Sequence, residues 1–254
     1  MGVLLFYLLF LLRLFTFSYC RSIIGLGEEI FMDNLSLHAE YEKYGLRYYT
    51  PNEELWNAIT HGIGAPISLA FMIYLLVVAS SIKEIFTALL LCIPAMQVYT
   101  TSGVYHALTD KAKKSMARRI DHANIAFLVT ACGVPFALLF SDYLINYIGI
   151  GICFTLAIIN AFLCVYDLMR FKVVGVVIDA IIGGILLILY IVNINSPLAT
   201  LGINLFFLIG FIFCVAGLAL YTIKRKYIHT VFHVATLIGP ILMMVGTVLL
   251  FSMH

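Results

Sequence analysis

The chain has 254 residues, of which 63% are hydrophobic, 14% aromatic and only 11% charged. A soluble domain carries about a quarter charged residues, so this much apolar side chain excludes an ordinary globular core and needs lipid as solvent. A net charge of +2 gives no reason to expect a nucleic-acid partner, and the cysteines lie in apolar runs without CxxC spacing, which excludes a thiolate metal site or a disulfide framework.

Residues 1–31 form a hydrophobic leader. Its first stretch is rich in Leu and Phe and is interrupted only by Arg13. It lacks a basic n-region and a small-residue cleavage site, so it is a poor signal peptide. Bulky Tyr19 argues against a lipoprotein reading of Cys20. Two readings stay open: an extra N-terminal helix, or a dispensable leader before a start at Met32. Residues 32–54 read as a polar cytoplasmic arm, and 55–254 as one seven-transmembrane domain.

Apolar runs punctuated by charge place the spans near residues 55–79, 85–108, 120–141, 143–165, 173–192, 201–223 and 229–251. Each is about 20 residues or more, enough for a hydrocarbon core about 30 Å thick. Barrel strands would be about half as long and would alternate polar with apolar. The expected fold is therefore an all-α, seven-helix bundle. Lys and Arg orient it. Arg21, Lys43 and Arg47 precede the first span; Lys111, Lys113, Lys114, Arg118 and Arg119 lie between the second and third; Arg170 and Lys172 follow the fourth; Lys224, Arg225 and Lys226 follow the sixth. Only Lys83 falls on the other side. This predicts a cytoplasmic N-terminus and an extracellular C-terminus.

Polar residues collect at one predicted depth. The second span ends Ser102-Gly-Val-Tyr-His106, the third opens Asp121-His122, and the seventh opens His229-Thr-Val-Phe-His233. His229 and His233 are four apart and share a helix face. Ser102 stands one turn deeper than His106 on its own face. Three imidazoles suit Zn²⁺ and leave a fourth position for water, the pattern of a catalytic rather than a closed site. Asp121 then reads as the group that takes the water's proton, and Ser102 as a donor to a developing oxyanion. The bland readings are interfacial histidines that snorkel, and an Asp paired with Arg118 or Arg119. His61 is a candidate to orient a ligand or Asp121, with a packing histidine as the alternative. Asp179, inside the fifth span, is a functional candidate by default; it could also stay protonated and bond a neighbouring helix. Asn160 reads as packing glue and Gly62 and Gly64 as points of close helix approach. Pro94, Pro135 and Pro240 are expected to kink their helices, and His122 reads as interfacial.

These residues resemble the hemolysin III family, within the progestin and adiponectin receptor superfamily. The resemblance rests on Asn57-Ala-Ile-Thr-His61-Gly62-Ile-Gly64, Ser102-Gly-Val-Tyr105-His106, Asp121-His-Ala-Asn-Ile125 and His229-Thr-Val-Phe-His233, and covers about residues 50–254. It implies a seven-helix bundle with zinc held by His106, His229 and His233, Asp121 reaching the metal through water and Ser102 beside it. The similar alkaline ceramidases imply an amidase of ceramide-type lipids; the name hemolysin implies a pore. The family's Gly-Gly-x-x-Tyr run reads Ala216-Gly217-Leu-Ala-Leu-Tyr221 here, and a hormone-receptor role is not carried over. The expectation is a membrane zinc hydrolase of a long-chain acyl lipid. A pore-forming cytolysin and a non-catalytic sensor with structural zinc are the alternatives.

Overall fold

Six helices in the computed structural model, which describes residues 34–253, are long and apolar enough to cross a membrane. The whole leader, with the expectation placed on it, and residues 32 and 33 of the arm lie outside the described residues. The longest of the six, Leu144–Asn193, has 50 residues. Drawn straight it would extend about 75 Å, more than twice the membrane's hydrocarbon core. It does not run straight. Asp167 leaves the helical region (φ −156°, ψ 89°), and its carboxylate accepts the Arg170 amide at 3.1 Å, capping a new helix. The two halves then return antiparallel. The Asn146 amide donates to Asn193 at 3.1 Å, Asn193 returns the bond at 2.8 Å, and Asn160 donates to Asp179 at 3.0 Å. Such interhelical bonds contribute on average about 0.6 kcal/mol each in a membrane. The seven expected spans are thus present, the fourth and fifth joined at one capped corner.

The first span comprises Pro51–Gly62 and Gly64–Val78, interrupted only at Ile63. Thr50 and Glu53 close a capping box at its start, with Pro in the first turn, where a missing amide hydrogen costs nothing. The second span is Ile82–Ala107. The third, Lys111–Leu139, begins well before the expected 120, because Asp110 caps it by accepting the Lys113 amide at 2.8 Å. Its Ala-, Lys- and Arg-rich first turns are strong helix formers, but hydropathy does not register them as span. The sixth is Leu201–Tyr221 and the seventh Ile228–Phe251. Pro94, Pro135 and Pro240 all sit inside continuous helices; the interruptions of the spans fall at Ile63 and Asp167.

Lipid tails are as apolar as leucine, so these helices associate by close packing. At Gly103 an added Cβ would lie 3.2 Å from the Gly62 Cα, and at Gly64 it would strike the Tyr99 ring at 2.5 Å. Small residues therefore bring the first and second spans into backbone contact. The first span packs on the second and seventh, the second on the third, the third on the fourth and fifth, and the sixth on the seventh. The fifth and sixth scarcely touch.

The arm folds back beneath the bundle. Its helix, Asn34–Lys43, ends at Gly45 (φ 64°), and the Leu46 amide reaches back to the Tyr41 carbonyl at 3.0 Å. Only glycine takes that left-handed turn without strain. Leu37, Tyr41 and Leu46 pack against Tyr105. Lys111 pairs with Glu40 at 2.8 Å, Ser115 donates to the Tyr44 carbonyl at 2.7 Å, and Arg118 donates to the Gly45 carbonyl.

Candidate metal centre

At the end of the bundle where the second span finishes and the seventh begins, His106, His229 and His233 converge. Their ligating nitrogens all lie within 4.8 Å of one another. His106 and His233 are fully buried and His229 partly so. Two of the three rings are held by acceptor-only partners, which fixes their tautomers. The Nδ1–H of His106 donates to the Glu54 carboxylate at 2.6 Å. The Nδ1–H of His233 donates to the Asn57 carbonyl at 3.1 Å. Each therefore presents a bare Nε2 lone pair. Oxygen partners behind metal-binding imidazoles act in this way, orienting the ring and raising its basicity.

The spacing tests whether a cation fits. The Nε2 atoms of His106 and His229 stand 3.3 Å apart. Two nitrogens each about 2.0–2.1 Å from a tetrahedral zinc would be separated by about 3.4 Å. Without a cation, one shared proton would have to satisfy several converging acceptors in a buried place, where unpaired acceptors are costly. The residues therefore fit a metal ion, and the nitrogen donor set suits zinc among others.

The scaffold behind the rings comes from the first span. Glu54, Asn57 and His61 follow one face at offsets of three and seven. Thr230 donates to the Asn57 side-chain oxygen at 2.6 Å, and Glu53 accepts the Tyr227 amide at 3.0 Å. That bond holds the left-handed residue (φ 59°) from which the seventh span starts. Lys114, itself buried, completes the support. Its ammonium lies 3.0 Å from Glu54 and donates to the carbonyls of Tyr105, His106 and Leu108 at 2.9, 3.2 and 3.0 Å. It thus balances the carboxylate and caps the second span at once.

The other expected residues are placed as follows. Ser102 is buried, approaches Asp121, and its hydroxyl makes no closed hydrogen bond. Both residues line a cavity of about 980 Å³ together with His229 and His233. His61 does not reach Asp121. Its ring stacks on His233 at 3.6 Å and its Nε2 donates to the Thr236 hydroxyl at 3.2 Å. Asp179 lies apart from the three histidines, in the cavity wall, bonded to Asn160. His122 also lines the cavity, edge-on to Tyr221. Tyr49, from the arm, stacks on His229 at 5.0 Å, and burial pushes its phenol up. It stays a neutral roof over the rings.

Sequence reasoning missed Glu54, Lys114 and Tyr49. Glu54 carried a readable signal, since it stands three residues before Asn57 on the same face. Lys114 looked like one loop cation among several. For a metal ion held by these histidines, Glu54→Gln, which cannot accept a charge-assisted bond, is expected to weaken binding by about 10–100-fold. Competition against a chromophoric chelator measures this. Unchanged affinity with a lower unfolding temperature would make Glu54 merely structural.

Compared with known proteins, residues 49–244 match the family described as Haemolysin-III related. The chain is 26% identical over 188 residues to "Hemolysin-3 homolog" of Bacillus subtilis (strain 168), covering 73% of this chain and 88% of that protein. It is also 26% identical over 194 residues to "Hemolysin-3" of Bacillus cereus, covering 75% and 88%.

Proposed function

The chain belongs to the Haemolysin-III related family of multi-pass membrane proteins, and from that premise we propose that it is a zinc-dependent hydrolase of an acyl-lipid amide. One observation carries the reading: three imidazoles bring their ligating nitrogens within 4.8 Å of one another, two of them with Nε2 turned to the centre by the partner behind Nδ1, beside a buried serine hydroxyl and a carboxylate at the head of a large apolar cavity. Three protein nitrogens are the donor count of catalytic zinc sites, which keep a further position open. Bound zinc supplies Lewis acidity that polarises a carbonyl and acidifies water.

The chain's own residues do the rest. His106, His229 and His233 hold the ion, while Glu54 and the Asn57 carbonyl keep two of the rings aimed. Asp121 takes the proton from the attacking water and returns it to the leaving amine. The Ser102 hydroxyl, beside Asp121, donates to the oxyanion as it forms. The acyl chain lies along Val129, Phe136, Phe207 and Met243 in the cavity wall. The loose seam between the fifth and sixth spans lets a lipid tail enter from the side. Would-be Cβ atoms at Gly183 and Gly184 on that wall meet nothing within 4 Å, so space remains there for a chain. The excess of Lys and Arg in the loops at this end supports a cytoplasmic location for the site.

The test is turnover. Purified protein carrying zinc releases free fatty acid from at least one member of a panel of long-chain N-acyl lipids. Release from none, with zinc present, overturns the proposal. The relatives' name favours a second reading, a membrane-lytic protein; liposome leakage from His106→Ala separates the two.

A further inference from the structure

Four cations from four separate segments meet at the cavity's site end. Arg47 comes from the arm, Arg118 from the third span, Lys172 from the fifth and Lys224 from the loop before the seventh; all four line the cavity. Lys172 lies within electrostatic reach of the other three. Arg47 stands over the Tyr49 ring at 5.0 Å and Lys172 over Tyr221 at 5.7 Å, two rings that flank His229. Among the described residues none of the four forms an ion pair with a carboxylate, whereas Lys83, Lys111 and Lys114 all do. Glu42 and Asp121 share this end of the cavity and leave an excess of positive charge.

A basic cytoplasmic edge is ordinary in membrane proteins, and Lys43, Lys113 and Arg225 fit that account because they stay outside the cavity. The four that line it are different. Like charges gathered at a low-dielectric wall repel one another and focus a positive field into the opening. An anion placed among them relieves the repulsion.

We propose that Arg47, Arg118, Lys172 and Lys224 form a collar for the anionic headgroup, phosphate or carboxylate, of an amphiphile whose tail occupies the cavity. This rests on the hydrolase reading of the same site and names its substrate class. Cations over tyrosine rings can grip such a group through paired hydrogen bonds from arginine and point charges from lysine. The headgroup would sit beside the histidines and the tail would run on past Asn160 and Asp179.

Lys172 and Lys224 are exposed, so K172Q/K224Q removes two charges without opening the core. Wild type and variant, full-length in a neutral maltoside detergent, are titrated by calorimetry with dodecyl phosphate, dodecanol and inorganic phosphate. The expected result is saturable binding of dodecyl phosphate by wild type, at least about tenfold tighter than either other probe, and at least about tenfold weaker in the variant. Equal affinity of variant and wild type overturns the collar. So does dodecanol binding as tightly as dodecyl phosphate. Inorganic phosphate binding as tightly overturns the tail's place in the cavity and marks a free-phosphate site. Zinc content and fatty-acid release, assayed on the same preparations, judge the hydrolase reading separately. A protein that cleaves neutral amides with a silent collar refutes this inference alone.

Discussion

His106→Ala protein, purified beside wild type and dialysed against the same mild chelator, retains less than about a tenth of the wild type's zinc. The wild type retains close to one equivalent. The expected effect is large because His106 is tied in twice. Its Nε2 faces His229 at 3.3 Å, and its Nδ1 is held at 2.6 Å by Glu54. Alanine removes a ligand and also leaves Glu54 with only Lys114 to answer its charge. Losing a mere supporting partner of a ligand already costs about 10–100-fold in metal affinity, so losing a ligand costs more. His61→Ala is the sharp control. That ring stacks on His233 but gives its Nε2 to Thr236, so the variant is expected to keep far more zinc than His106→Ala. Equal zinc in wild type and His106→Ala, or loss of zinc in His61→Ala alone, would refute the three-histidine site. The same variant sorts the lytic reading. Leakage from liposomes that persists in His106→Ala is a pore's behaviour, and leakage that disappears with the zinc follows from lipid hydrolysis.

The spans and the shared depth of the site were legible because they depend on patterns hydropathy can register. A run of about 20 apolar residues has few fates other than a membrane. Charged punctuation also placed the ends of the second, third and seventh spans together, so His106, Asp121 and His229 had to share a level. What stayed hidden depends on contacts between helices distant in sequence. Nothing local says that Lys114 turns inward to cap the second span, or that Glu54 reaches across 52 residues to His106. The extent of the third span was missed for a different reason: Asp110 and a polar helical turn carry no hydropathy. The corner at Asp167 could have been found, since an Asp three residues before an amide it caps is a local signature.

Asp121→Asn keeps its zinc and loses amide hydrolysis, with kcat lower by about 10²–10⁴-fold. The substitution preserves shape and removes the ability to take a proton, so it isolates the chemistry from the fold. The geometry gives the reason to expect that metal content is spared. The clustered ligand atoms belong to His106, His229 and His233, and Asp121 stands in the cavity wall beside Ser102 and near Arg118. Ser102→Ala, which deletes a buried hydroxyl beside Asp121, is expected to lower kcat by about 10²–10³-fold. If both residues act on one transition state, the double variant is scarcely worse than Asp121→Asn alone, because groups that work as a unit are not additive. Single-turnover release of fatty acid from a zinc-loaded preparation measures each step. A non-catalytic sensor predicts the reverse pattern: Asp121→Asn is silent, and stripping the zinc lowers the unfolding temperature. Wild-type turnover in zinc-loaded Asp121→Asn would therefore end the assignment of the general base while leaving the metal centre standing.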